Sequence, residues 1–322
     1  MPQQLDVSRI EKHLLERART KPRTTTAIVH PCSRGALLAA IEAARGGLIE
    51  PVLVGPQSKI QAIAMEQELD ISGYRLVDVP HSHAAAVKAV QMAASSEVEA
   101  LMKGSLHTDE LMSEAVKHDG GLRTERRISH VFALADENYH KPFFITDAAV
   151  NITPDLLAKK DIVQNAIDLV VGISEQSTIP KVAVLSAVET IHPAMQSTVD
   201  AACLCKMADR QQITGAILDG PLAYDNAISM EAADIKGIRS QVAGDADIFL
   251  TPDLEAGNML AKQLILLGKA SAAGMVLGAR VPIILTSRAA DVESRIGSCA
   301  LAVLMVDARR NNRMPFTKGA GK

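Results

Sequence analysis

Short apolar runs alternating with longer, Ala-rich segments of helical period constrain this chain more than any other feature. The runs Thr26–Val29, Val52–Val54, Tyr74–Val79, Ala100–Met102, Phe143–Thr146, Val182–Leu185, Gly215–Leu218, Ile248–Leu250 and Pro282–Thr286 read as strands. Helices are expected over Val7–Arg19, Gly35–Arg45, Ser58–Glu68, Ala84–Ala94, Thr108–Val116, Pro154–Leu169, Pro193–Ala208, Glu231–Lys236, Pro252–Leu267 and Ala290–Val306. That alternation predicts an α/β fold whose mainly parallel sheets are covered by helices on both faces. With 322 residues, 48% of them hydrophobic, the chain can bury substantial cores, and its length predicts two lobes. Aromatic side chains make up only 2%, with no Trp, so the core must be aliphatic and rich in Ala.

The same numbers exclude several classes of function. A formal net charge of −3 with no block of like charge leaves no footprint for nucleic acid or for an anionic membrane surface. The scarcity of aromatics also argues against base-stacking platforms. Cys32, Cys203, Cys205 and Cys299 are too few and too scattered for a disulfide framework or a zinc ribbon. Cys203 and Cys205 lie two apart in a helical segment, where side chains do not face one another, and both read as packing residues. The N-terminal stretch is polar and charged, and no uncharged apolar run of about 18 residues occurs, so a soluble, cytoplasmic protein is expected.

Thr-Pro-Asp-Leu occurs at residues 153–156 and again at 251–254, each time just after a strand candidate. Thr as N-cap, Pro at the first helical position and Asp in the first turn would start a helix at both places. The polar patch Glu125–His130 and the Gly-rich stretch Gly268–Gly278 are the best points for the chain to cross between lobes. Residues 1–130 and 269–322 would then form a first lobe, with 131–268 inserted as the second.

Four clusters carry polar chemistry near strand ends. Thr286-Ser287-Arg288 brings a hydroxyl and a guanidinium to the start of a helical pattern, where free N–H groups and the helix dipole favour an anion. Taken alone, Ser287 reads as an N-cap and Arg288 as a surface residue. Lys103-Gly104-Ser105-Leu106-His107-Thr108 joins a strand to a helix and offers Lys, Ser and Thr donors around a Gly that permits close approach. It lacks the glycine spacing of a Walker loop, and a lone His107 is more often a capping residue. Gly120-Gly121-Leu122-Arg123 presents a guanidinium, suited to a bidentate grip on phosphate, while Arg126 and Arg127 read as solvated. Asp147 and Asn151 follow another strand, and both are equally good turn residues. Asp219-Gly220-Pro221-Leu222 reads first as a turn.

Taken in order, these segments resemble the phosphate acetyltransferase and phosphate butyryltransferase family. The resemblance runs from His30-Pro31-Cys32 and Pro51–Pro56, through Gly121-Leu122-Arg123, Thr146–Asn151, Pro180–Glu189, Asp219–Leu222 and Val242-Ala243-Gly244, to Pro252–Asn258 and Thr286-Ser287-Arg288. Each motif is weakly specific, and their colinear succession is strongly so. Ile145–Ala149 and Asp219–Leu222 resemble the butyryltransferase branch more closely.

The resemblance implies reversible transfer of a short acyl group between coenzyme A and inorganic phosphate. It implies two α/β/α lobes with an interlobe cleft, like those of isocitrate and isopropylmalate dehydrogenases, and a homodimer. Acyl-CoA, CoA, phosphate and acyl phosphate are the implied partners, with no metal and no tightly bound cofactor. Carried over by residue, Arg288 would stabilise charge on the acyl phosphate and Ser287 would hydrogen-bond thiol or phosphate. Arg123 would grip phosphate, and Lys103, Gly104, His107 and Thr108 would line the same pocket. Asp147, Asn151, Gly257 and Asn258 complete the implied substrate-binding set. The acetyltransferases carry an Asp shortly after Ser-Arg that takes the thiol proton. Here the sequence reads Ala289-Ala290-Asp291-Val292-Glu293, which leaves open whether Asp291 or Glu293 stands in. A chain without that base would be a non-catalytic CoA or acyl-phosphate sensor of the same fold.

Overall fold

The structure, a computed structural model, describes residues 10–175, 178–286 and 290–314. In chain order the elements are α1 (Ile10–Ala18), β1 (Thr24–Val29), α2 (Arg34–Arg45), β2 (Ile49–Gly55), α3 (Gln57–Glu66), β3 (Arg75–Asp78), α4 (Ser82–Ala94), β4 (Ala100–Lys103) and α5 (Thr108–Ala115). There follow β5 (Ser129–Ala135), β6 (Phe143–Thr146), α6 (Leu156–Ile173), β7 (Lys181–Leu185), α7 (Gln196–Asp209), β8 (Ile217–Leu222), α8 (Tyr224–Ile228), α9 (Met230–Ile235), β9 (Ile248–Leu250) and α10 (Leu254–Leu266). The chain closes with β10 (Ser271–Leu277), β11 (Ile283–Ile284) and α11 (Val292–Arg310). Contacts divide it into two compact units, one of Glu11–Arg126 with Ala273–Lys322, the other built around Arg127–Ala272.

In the first unit the strand order is β3-β2-β1-β4-β11-β10. All neighbours are parallel except β10 and β11, and the register pairs Val29 with Lys103 and Ile284 with Met102. Ala27, Ile28 and Val29 are fully buried, and α2 lays Ala36, Leu37, Ala39 and Ala40 into the core. The small Ala side chains allow α2 and α11 to come into contact.

In the second unit the order is β5-β6-β9-β7-β8, with β5 and β6 antiparallel and the other pairs parallel. Few as they are, the aromatics concentrate here. Phe143 and Phe249 meet edge to face at 5.5 Å, Tyr139 meets Phe143 at 5.3 Å, and the buried Tyr139 hydroxyl donates to the Ala246 carbonyl.

Several sequence expectations change. Among the described residues eleven strands replace nine, because Ser129–Ala135 and Ser271–Leu277 are buried strands in the stretches read as crossing points. The two Thr-Pro-Asp-Leu helices start later than expected. Asp155 and Asp253 are the N-caps, their carboxylates accepting from Ala158 and Ala256 amides at 2.8 Å. A carboxylate caps an N-terminus well and is favoured by the dipole, whereas Thr251 spends its hydroxyl on the Asp147 carbonyl. Asp219–Leu222 is strand rather than turn, and its Pro is tolerated because β8 ends the strand order as an edge. Among the described residues, no helix is long and apolar enough to cross a membrane.

Candidate active site

In the first unit the carboxyl ends of the parallel strands β1, β4 and β11 line one edge, the side where ligands of α/β sheets gather. Gly104 leaves β4 against the end of β1, its amide donating to the Val29 carbonyl at 2.9 Å. The Ser105 amide and hydroxyl both donate to the carbonyl of His30, at 2.9 and 3.0 Å. His30 sits in the left-handed region at φ 54, and its Nδ1 donates back to the Ser105 carbonyl at 3.1 Å. The two loops are thereby clasped. Sequence reading had placed His30 in a motif without giving it a role, and no local signal joins it to Ser105, which lies 75 residues away.

Lys103 is 4% exposed and donates from Nζ to the Leu106 carbonyl at 3.1 Å, which puts its charge inside the turn. His107 is the N-cap residue of α5 and is exposed, and Thr108 opens the helix, half-buried. Asp109 and Glu110 occupy the first turn and already complement the helix dipole. The Glu110 carboxyl is held below its usual range by a hydrogen bond from Ser82, against an upward push from burial, with help from the His107 amide and the charges of His107 and His30.

Arg123 lies beyond the far end of α5, exposed, with Leu122 fully buried before it and Thr124 buried after it. Gly121 is required there, since a Cβ would stand 2.3 Å from the Lys117 carbonyl. The backbone of Arg123 pairs with Ala279 in an isolated antiparallel bridge. Ser287 and Arg288, which follow Thr286, lie outside the described residues. Helix α11 begins at Val292, later than the pattern predicted, because Asp291 caps it by accepting from the Ser294 amide at 2.8 Å. Asp291 and Glu293 are both exposed.

In the second unit, the carboxyl ends of β6 and β9 hold the other predicted residues. Asp147 is 2% exposed and accepts from the amides of Ala149, Val150 and Asn151 and from the Asn151 side chain. Asn151 also donates to the Ile128 carbonyl and accepts from Arg127 Nε at 2.9 Å. Arg127, read from sequence as solvated, is exposed and is also tied to this loop through that bond. Gly257 lets α10 approach, since a Cβ would lie 2.4 Å from the Asp147 carbonyl, and Asn258 donates to the Ala148 carbonyl at 2.9 Å. These four residues shape one loop, which packing periodicity alone did not reveal.

Burial pushes the thiols of Cys205 and Cys299 up to about 12, and raises that of Cys32, so these sulfurs are poor nucleophiles at neutral pH. Among the described residues, no group of three or more His, Cys, Asp or Glu could hold a metal ion.

A family described as Phosphate acetyl/butaryl transferase matches residues 81–303. The chain belongs to this family. A phosphate acetyltransferase of Rhizobium meliloti is 58% identical over 299 residues, covering 92% of this chain and 93% of its own. A phosphate butyryltransferase of Clostridium beijerinckii is 39% identical over 298 residues, covering 92% of this chain and 97% of its own. Among solved structures, a branched-chain phosphotransacylase from Enterococcus faecalis V583 superposes with a TM-score of 0.76 at 30% identity, over 88% of this chain and 99% of the other. The span matched to the family holds Lys103, Arg123, Asp147, Gly257 and Asp291 alike.

Proposed function

We propose that the chain is a phosphate acyltransferase that moves a short acyl group, acetyl to butyryl, reversibly between coenzyme A and inorganic phosphate. Membership of the family carries this reading. The clasped loops at the carboxyl edge of β1, β4 and β11 support it, because they bring Lys103, Gly104, His107 and Thr108 to one edge. Identity is higher to the acetyltransferase relative than to the butyryltransferase relative, which favours the shorter acyl groups.

In one direction a phosphate oxygen attacks the thioester carbonyl, the tetrahedral intermediate expels the CoA thiolate, and acyl phosphate forms as the thiolate takes up a proton. In the other, the thiolate attacks acyl phosphate and phosphate leaves. No acyl-enzyme is needed. A thiol of pKa about 8.5 is only partly ionised at neutral pH, so a base and nearby cations both assist. In this reading Arg123 grips phosphate, Arg288 stabilises the developing oxyanion, and Ser287 hydrogen-bonds thiol or phosphate. Asp291 or Glu293 takes the thiol proton. Asp147, Asn151, Gly257 and Asn258 serve by holding the loop after β6. The family resemblance extends the reading to a cytoplasmic homodimer working without a bound cofactor, and light scattering checks the dimer.

The test is release of free CoA from acetyl-, propionyl- and butyryl-CoA, with and without phosphate. Release that requires phosphate is the expected result, and the rate order assigns chain length. CoA binding without release from any of the three would favour the sensor of the same fold.

A further inference from the structure

Arg123 stands on the segment between α5 and β5, where its backbone forms an isolated antiparallel bridge with Ala279. Four hydrogen bonds fix it. The Leu122 amide donates to the Ala115 carbonyl at 2.8 Å, and the Leu122 carbonyl accepts from the Arg280 amide at 2.9 Å. On the other side of Arg123, the Thr124 hydroxyl donates to the Gly278 carbonyl at 2.6 Å and accepts from the Arg126 amide at 3.1 Å. Thr124 is 5% exposed, so both bonds are made away from water, where an unmade bond is costly.

The strip that receives these bonds is itself held from behind. Arg309, in the last turn of α11 and 9% exposed, donates from Nη1 to the Arg280 carbonyl at 2.9 Å and from Nη2 to the Ala279 carbonyl at 3.3 Å. A continuous line of hydrogen bonds thus runs from the end of α11 through residues 278–280 to the backbone on both sides of Arg123. A guanidinium on a backbone fixed in advance loses less freedom when it closes on an anion, and that saving appears as affinity.

From this geometry we infer that Thr124 and Arg309 are positioning residues for Arg123 and set the enzyme's affinity for phosphate. The inference rests on the reading that Arg123 grips phosphate. Thr124→Val keeps the shape of the side chain and removes both hydroxyl bonds, whereas Thr124→Ser keeps them.

The experiment measures KM for phosphate, KM for acetyl-CoA and kcat in the CoA-release assay for Thr124→Val, Thr124→Ser, Arg123→Ala and the double variant Arg123→Ala with Thr124→Val. Thr124→Val removes both hydroxyl bonds and should raise the phosphate KM about tenfold or more, the order expected when two hydrogen bonds are lost. The acetyl-CoA KM should stay unchanged, Thr124→Ser should behave as the parent, and Thr124→Val should add nothing once Arg123 is gone. An unchanged phosphate KM in Thr124→Val, a parallel rise in both KM values, or an equal further loss in the Arg123→Ala background would each overturn the inference. If Thr124→Val does not fold, Arg309→Lys carries the same test, because a single ammonium cannot span the two carbonyls as the guanidinium fork does. Failure of the underlying reading is separately visible, as an Arg123→Ala single variant with the parent's phosphate KM.

Discussion

A Cβ placed on Gly104 would stand 2.4 Å from the carbonyl oxygen of Val29. No residue larger than glycine fits there without prising the β4 exit from β1, since the neighbouring atoms are backbone. Gly104→Ala should therefore cost about 1–3 kcal/mol in urea unfolding and lower CoA release at least tenfold, whereas Gly73→Ala, where a Cβ meets nothing within 4 Å, should do neither. A Gly104→Ala enzyme with the parent's rate would detach this loop from the site.

The two candidate bases can be separated by substitutions that spare the helix. Asn caps an N-terminus as well as Asp does, so Asp291→Asn should retain α11 and its bond to Ser294 while losing the capacity to take a proton. If Asp291 is the base, Asp291→Asn should cut turnover about a hundredfold with little change in melting temperature, and Glu293→Gln should leave the rate near the parent's. The reverse pattern would assign the proton to Glu293.

Asp147 is the hub of the loop after β6, accepting from three backbone amides and the Asn151 side chain. Asp147→Ala leaves those donors unmatched in a site that is 2% exposed, and should cost about 3 kcal/mol in chemical denaturation. A cost below about 0.5 kcal/mol, the range of ordinary surface changes, would show that the loop is held by other means.

A fourth carboxylate gives a pH signature. Asp245 is partly buried, which raises its pKa, but the bonds from Lys181, Lys141 and His140 outweigh burial and hold it well below the usual carboxylate range. A depressed folded-state pKa contributes stability that is present above the unfolded value of about 3.9 and is lost as pH falls through the folded one. Asp245→Asn should thus lower the melting temperature at pH 7 and converge on the parent as the pH falls below about 3. A gap that is constant across that range would contradict the sign.

Much of this was visible in the residues before any coordinates. The parallel α/β class followed from unbroken apolar runs such as Ile248–Leu250, and the start of α5 from Thr108 behind the Lys103-Gly104 turn. Ser129–Ala135 and Ser271–Leu277 escaped because the first follows three arginines and the second sits among glycines, composition that masks an extended run. The N-caps were displaced because Thr, Pro and Asp all favour helix starts, and local preference does not say which of them reaches the free amides. The pairing of His30 with Ser105, and of Thr124 with Gly278, depends on strand register and leaves no mark in local sequence.

The first unit is interrupted in the chain and finished only by its last stretch. β4 lies between β1 and β11, and the residues that complete it, from Ala273 onward through α11, are made only after the whole of the second unit. Until then Leu101 and Met102, fully buried in the finished molecule, sit on an open strand edge with no β11 beside them. Synthesis thus has a vulnerable interval that closes only once β11 has followed the second unit out, and any chain stopped short of it keeps that edge open to its neighbours.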